Sequence, residues 1–340
     1  MLMTKWAGLC AAACTAALFA AGTAQAQPLE DLAAEAADGP PVVWYESSPE
    51  DDADKIIEAF NETYPDIRVQ HVRITGGNQF AARAVQETQA RGYTADLLTG
   101  GADHIWQLND RGILMQLDGE ELGIDEKLMP TDFTVATAAS VYVLVYNSDN
   151  VSEDEVPTSW DDLLDEKWKG RTGSWVRAAS WAQLAKAWGK DKAEEHLREY
   201  VKLDPFLFKS TFPMAQQVGA GEVDLAVGFF HTAQPPIQAG APVKLKALDP
   251  TPMHTIYTSI SQEAKNAAGA KVMLSWLAST EGNKAYEAAT NRGSHLIEGT
   301  KTHDLVQGKN VSEWAPSETE DYSVISEEFN GILAGAGEAR

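Results

Sequence analysis

The residues best equipped for chemistry in this chain lie in four short stretches, each following an apolar run. "ESSPE" offers Glu46, Ser47 and Ser48, and Ser48 suits either a helix N-cap or a ligand contact. "TGGNQF" offers Thr75 and Asn78, with Gly76 and Gly77 letting backbone N–H groups come close to a ligand. In "VRAASWAQLAKAW", Arg177 precedes a helix start at Ala178, Ala179 and Ser180. Free N–H groups and the helix dipole favour an anion there, and Arg177 adds a bidentate grip. "GFFHTAQPP" sets Phe229 and Phe230 at a strand end as an apolar wall, with His231 as a polar edge.

Other reactive patterns are missing. The seven histidines include no i,i+4 pair, and no nucleophile elbow, P-loop or dinucleotide fingerprint occurs. Acidic pairs such as Asp51–Asp52 and Asp161–Asp162 sit in helix first turns, where they serve the dipole. The expectation is a binding protein without cofactor or metal, not an enzyme; an exported hydrolase is the distant alternative.

The elements around these stretches alternate strand and helix. "PVVWY" is a continuous apolar run, as in a strand buried on both faces. Helix 49–64 follows, with Ser48 as N-cap, and Pro65 stops it. "DIRVQHVRI" and "ADLLTG" read as strands, each followed by a helix, so the sheet is largely parallel. Residues 133–147 are too long and β-branched for an ordinary strand and fit a segment crossing between lobes; 253–260 is a second one. In such lobes a ligand sits at the carboxyl ends of the strands, where all four stretches fall.

Composition sets the setting. Lys5, the apolar run 7–21 and "AQA" at 24–26 read as an export signal cleaved near Ala26. Both cysteines, Cys10 and Cys14, lie inside it, so the remaining chain relies on its core. Fifty acidic against 27 basic residues, a net charge of −23, argue against nucleic acid as a partner.

Three segments then carry a family resemblance. "PTSWDDLLDEKWKGRTG", "AGAKVMLSWLASTEGNKAY" and "ADLLTGGADHIWQLNDRGILMQLD" resemble the family 1 extracellular solute-binding proteins of ABC importers, in their ferric-iron-type branch. The resemblance implies a type II periplasmic-binding-protein fold: two doubly wound α/β lobes joined by two crossing strands, with the ligand cleft between them. Composition marks a signal peptide at 1–26 and a polar leader at 27–40, and the resemblance implies a first lobe at 41–140 and a second at 141–250. The first lobe resumes at 251–297, and residues 298–340 pack on the second. It further implies a periplasmic monomer that delivers a small solute to ABC permease subunits.

The branch also implies where iron would sit. Phe229 and Phe230 fall where ferric relatives carry two tyrosines, Ser48 where many place a histidine, and Glu87 near an acidic ligand. Phenylalanine has no oxygen to give a hard cation, so an organic solute, expected to be anionic, is the leading expectation. Ferric iron or an iron chelate is the alternative.

Overall fold

The computed structural model describes residues 29–75 and 77–335; the expected export signal lies outside the described residues. The first half runs α1 (Leu29–Asp38), β1 (Val42–Glu46), α2 (Glu50–Thr63), β2 (Val69–Arg73), α3 (Gly77–Arg91), β3 (Leu97–Gly101) and α4 (Ala102–Asn109). Next come β4 (Val135–Asn147), β5 (Thr172–Trp175), α5 (Ala179–Trp188), α6 (Lys190–Val201) and β6 (Phe206–Phe208). Then follow α7 (Thr211–Gly219), β7 (Leu225–Phe229), α8 (Phe230–Gln238), β8 (Val243–Lys246) and β9 (Thr251–Ile260). The chain closes with α9 (Ala267–Ala278), α10 (Thr280–Thr290), α11 (Lys301–Val306), β10 (Val311–Ser312) and α12 (Thr319–Ala334).

The strand order β2-β1-β3-β9-β4-β7-β5-β6 makes one sheet out of two lobes. The join is β4. Its first half pairs antiparallel with β9 over Val135–Val141, and its second half pairs with β7 over Tyr142–Tyr146. All thirteen β4 residues are buried, which is why the run is apolar and β-branched without alternation. This is the two-lobed type II fold, with β4 and β9 as the crossing strands.

A β-bulge at Ala136–Ala138 breaks the β4–β9 register and frees backbone groups. Ser294 Oγ donates to the Ala136 carbonyl at 3.2 Å, and Asn283 Nδ2 to the Thr137 carbonyl at 2.6 Å. The Ala139 N–H donates to the Gly293 carbonyl at 2.8 Å. These bonds tie the loop after α10 to the crossing strand, which becomes important for Arg292.

Two local expectations change. Residues 29–38, read from composition as a polar leader, form α1, which buries Leu32 and Ala36 against α9. Asn266 Nδ2 holds its end through the Ala36 and Pro40 carbonyls at 3.0 and 2.7 Å. Helix α2 starts at Glu50 with Pro49 at the cap position and no side-chain cap. Ser48 lies one residue before the cap position, and its hydroxyl makes no bond, while its N–H donates back to the Glu46 carboxylate. Among the described residues no helix is long and apolar enough to cross a membrane.

Candidate functional site

A cleft opens where the carboxyl ends of β1, β3, β5 and β7 face each other across the crossing strands. It has a wide part of about 940 Å³ and a narrow part of about 290 Å³. Ser47, Asp103, His254 and Tyr322 line both, so the two form one space. These volumes suit a small metabolite.

The wide part gathers cations. Arg177, Lys209 and Arg292 line it beside Asp103 and Glu327, and among the described residues none of the three cations makes an ion pair within 4 Å, although the charge of Arg292 acts on Glu46. Arg177 lies over the Trp175 ring at 5.0 Å. Arg292 belongs to the loop anchored on the β4 bulge, and its own N–H is bonded to Thr290 Oγ1 at 3.1 Å. Its Nη2 reaches His231 Nε2 at 2.9 Å. A guanidinium only donates, so Nε2 accepts and the His231 proton sits on Nδ1. Burial, then the charge of Arg292, hold the His231 pKa well below the usual histidine value. His231 Nδ1 and Arg292 Nε are buried donors with no partner, an unusual double shortfall in a folded chain.

Rings stand beside these cations. Phe229 stacks on His231 at 5.1 Å and on Tyr142 at 4.2 Å, and Trp175 meets its edge at 5.9 Å. Phe212, at the start of α7, is 45% exposed and stands edge-on to His231 at 6.1 Å. An exposed ring beside unpaired cations is well placed to cover the apolar body of an anion.

A polar chain spans the cleft floor. The Trp314 N–H donates to Gln183 Oε1 at 3.1 Å, which turns Gln183 Nε2 toward His254 Nδ1 at 2.8 Å. His254 therefore carries its proton on Nε2 and donates to Tyr142 Oη at 3.1 Å. Burial lowers the His254 pKa to about 4, against the opposing charge of Asp103. The unfolded ring takes a proton near pH 6.5, so this group's stabilisation is complete above that pH and is lost as pH falls toward 4. Half-buried Glu313 shifts oppositely, so the test compares wild type with a variant. On going from pH 7 to pH 5, His254→Gln is expected to gain about 2 kcal/mol relative to wild type in urea denaturation. A difference that does not change with pH would show that His254 is not the titrating group.

The residues singled out from sequence fall in several places. Ser47, Gly77, Thr75, Arg177, Ala179, Phe229 and His231 line the cleft. A Cβ at Gly77 would lie 1.8 Å from the His104 ring, so any other residue there would displace that ring. Gly76 and the side chain of Asn78 lie outside the described residues. Glu46 is 1% exposed and turned into the first lobe, bonded by Tyr286 Oη at 3.1 Å. Burial raises its pKa, but His71, the charge of Arg292 and the Ser48 N–H outweigh that and hold it low. Ser48 is buried beneath the cleft with its hydroxyl unpartnered.

The α5 start differs from expectation. The Ala178 N–H is taken by Asn330 Oδ1 of α12 at 2.8 Å, and Ser180 is buried. Phe230 begins α8 and packs among Ala139, Val143 and Met214, away from the cleft. Glu87 is bonded to Tyr45, Thr94 and Arg83 outside the cleft. Sequence reasoning missed Trp175, Lys209, Phe212, Arg292, Glu313 and Tyr322. Of these, only Arg292 left a local mark: it follows Asn291, whose left-handed φ of 57° ends α10.

Two lobes, two crossing strands and a polar cleft at the strand ends are the architecture of a type II binding-protein fold. The chain belongs to the bacterial extracellular solute-binding protein family, whose model matches residues 55–297, and is thus an exported component of ABC transport. Solved structures with the same fold include iron-bound HitA from Pseudomonas aeruginosa, at 20% identity and a TM-score of 0.71 over 88% of this chain and 100% of that one. AfuA from Actinobacillus pleuropneumoniae, with fructose-6-phosphate, is 21% identical at a TM-score of 0.62, covering 87% and 96%. AgtB from A. tumefaciens R10, with agropinic acid, is 15% identical at 0.64, covering 86% and 98%. No curated protein matches the chain. At these identities the likeness shows the fold, and the family and its neighbours are binding proteins rather than enzymes.

Proposed function

We propose that this protein captures a small organic anion between its lobes in the periplasm and hands it to an ABC permease. The observation that carries the reading is the convergence of Arg177, Lys209 and Arg292 on one cleft without a carboxylate partner, in a chain with 50 acidic and 27 basic residues. The anion's oxygens would meet Arg292 and Arg177, and its carbon body would lie against Phe229, Trp175 and Phe212. Residues from both lobes take part, so the bound solute favours the closed form. Phe229 and Phe230 leave the ferric relatives' tyrosine positions without oxygen, which supports an organic solute over directly coordinated iron.

The test is calorimetric titration and small-angle scattering with carboxylates, sulfonates and phosphate esters, beside neutral sugars and simple amines. Anions are expected to bind, to reduce the radius of gyration and to weaken as salt rises, because Arg177 and Lys209 are exposed. Binding of a sugar or amine with no anion binding would refute the reading.

A further inference from the structure

We propose that the ligand carries a protonated amine as well as its anionic group, and that the narrow part of the cleft, with Glu313, is the amine's subsite. This rests on the anion reading above and adds a second, oppositely charged end to it.

Three observations meet there. Glu313 follows β10 and lines the narrow cavity, and both its oxygens are fixed by one residue. Oε1 accepts from the Thr255 N–H and Oε2 from Thr255 Oγ1 at 2.8 Å. Those are neutral donors. Among the described residues no cation pairs with Glu313, and Lys186, which lies over the neighbouring Trp314 ring at 5.2 Å, is held by Glu318 at 2.5 Å. A half-buried carboxylate without a counter-charge is costly, and desolvation, against the two Thr255 bonds, pushes its pKa up to about 7. A ligand cation would supply the missing charge.

The second observation is the lining. Phe80, Trp314 and Tyr322 surround the same cavity, and ring faces attract an ammonium. Asp103 adds a second carboxylate there; it is 44% exposed and bonded to His104 Nδ1 at 2.7 Å. Third, the cavity opens into the cationic part at Ser47, Asp103, His254 and Tyr322, so Asp103 stands at the junction of the two. One molecule lying through that opening would have its carboxylate among arginines and its ammonium among acids and rings. The wide part carries Arg177, Lys209 and Arg292 against Asp103 and Glu327, the narrow part carries Glu313 and Asp103 with no Lys or Arg, and the matching ligand class is an amino carboxylate.

The experiment titrates the full chain with unbranched ω-amino carboxylates of three to six carbons, each beside the plain carboxylate, ω-hydroxy carboxylate and amine of equal length. At the best length the amino carboxylate is expected to bind about tenfold or more tighter than the plain carboxylate. Glu313→Gln keeps an acceptor for the Thr255 N–H, and it should bring the amino carboxylate down to the plain one while leaving the plain one unchanged. Asp103→Asn provides a second variant should Glu313→Gln lower the melting temperature. The proposal is overturned if no amino carboxylate beats its plain counterpart, or if the hydroxy analogue binds as well as the amino one. Binding of amines with no carboxylate binding would instead refute the anion reading on which it rests.

Discussion

Replacing Arg292 by Gln is expected to weaken binding of the anionic ligand by about ten- to a hundredfold, the largest effect of any single change in the cleft. A charge-assisted hydrogen bond is worth about 1.5–3 kcal/mol, and about 1.4 kcal/mol is a tenfold change in affinity. Arg292 stands out among the three cations because it is held. Its loop is fixed to the bulged crossing strand through the Ala139–Gly293 bond, so little side-chain freedom remains to be lost on binding. It also sets the His231 tautomer, so Gln at 292 disturbs a second donor. Arg177 and Lys209 are exposed, and salt screens them more. Phe230→Ala is the contrast: it is expected to lower the melting temperature while leaving affinity near wild type, because Phe230 packs away from the cleft. Calorimetry on both variants at two salt concentrations decides it. Unchanged affinity in Arg292→Gln would remove Arg292 from the site.

Asp96→Ala is expected to destabilise the protein by about 3–5 kcal/mol, because it leaves three backbone donors unmet at about 1–3 kcal/mol each. Asp96 is 1% exposed. Its Oδ2 accepts from the Val43 N–H at 2.7 Å, and its Oδ1 from the N–H groups of Lys265 at 2.5 Å and Asn266 at 3.1 Å. One carboxylate therefore joins the start of β1 to the segment entering α9, which begins 169 positions after Asp96. Asp96→Asn keeps one acceptor oxygen and is expected to cost less. Urea denaturation of both variants measures the difference; a loss below 1 kcal/mol for the alanine would mean that water satisfies those donors.

Asp96 also shows how far sequence carries. Its place in "ADLLTG" marked a strand start in a familiar pattern, but its partners could be known only after residues 43 and 265 had come together. The same holds for the site. The four stretches were found because strand ends and helix starts follow local rules, and seven of the residues named from them do line the cleft. The misplacements come from contacts at long range. The Ala178 N–H looked free to hold an anion, yet Asn330, 152 positions away, takes it.

The amino-acid sequence by itself determined the alternating elements, the two crossing segments and hence the two-lobed fold. Apolar periodicity, proline and glycine positions and uninterrupted β-branched runs are properties of neighbouring residues, and they fix secondary structure before any packing occurs. Only the tertiary structure decided which side chains reach the solute. Phe229 ends β7 and lines the cleft, whereas Phe230 opens α8 and packs on the core cluster, because the chain turns from strand into helix between them. Arg292 and Glu313 enter from distant loops, held there by a bulge in β4 and by the backbone of β9. A binding cleft is made where separate segments converge, so its charge pattern exists in no single stretch of the chain.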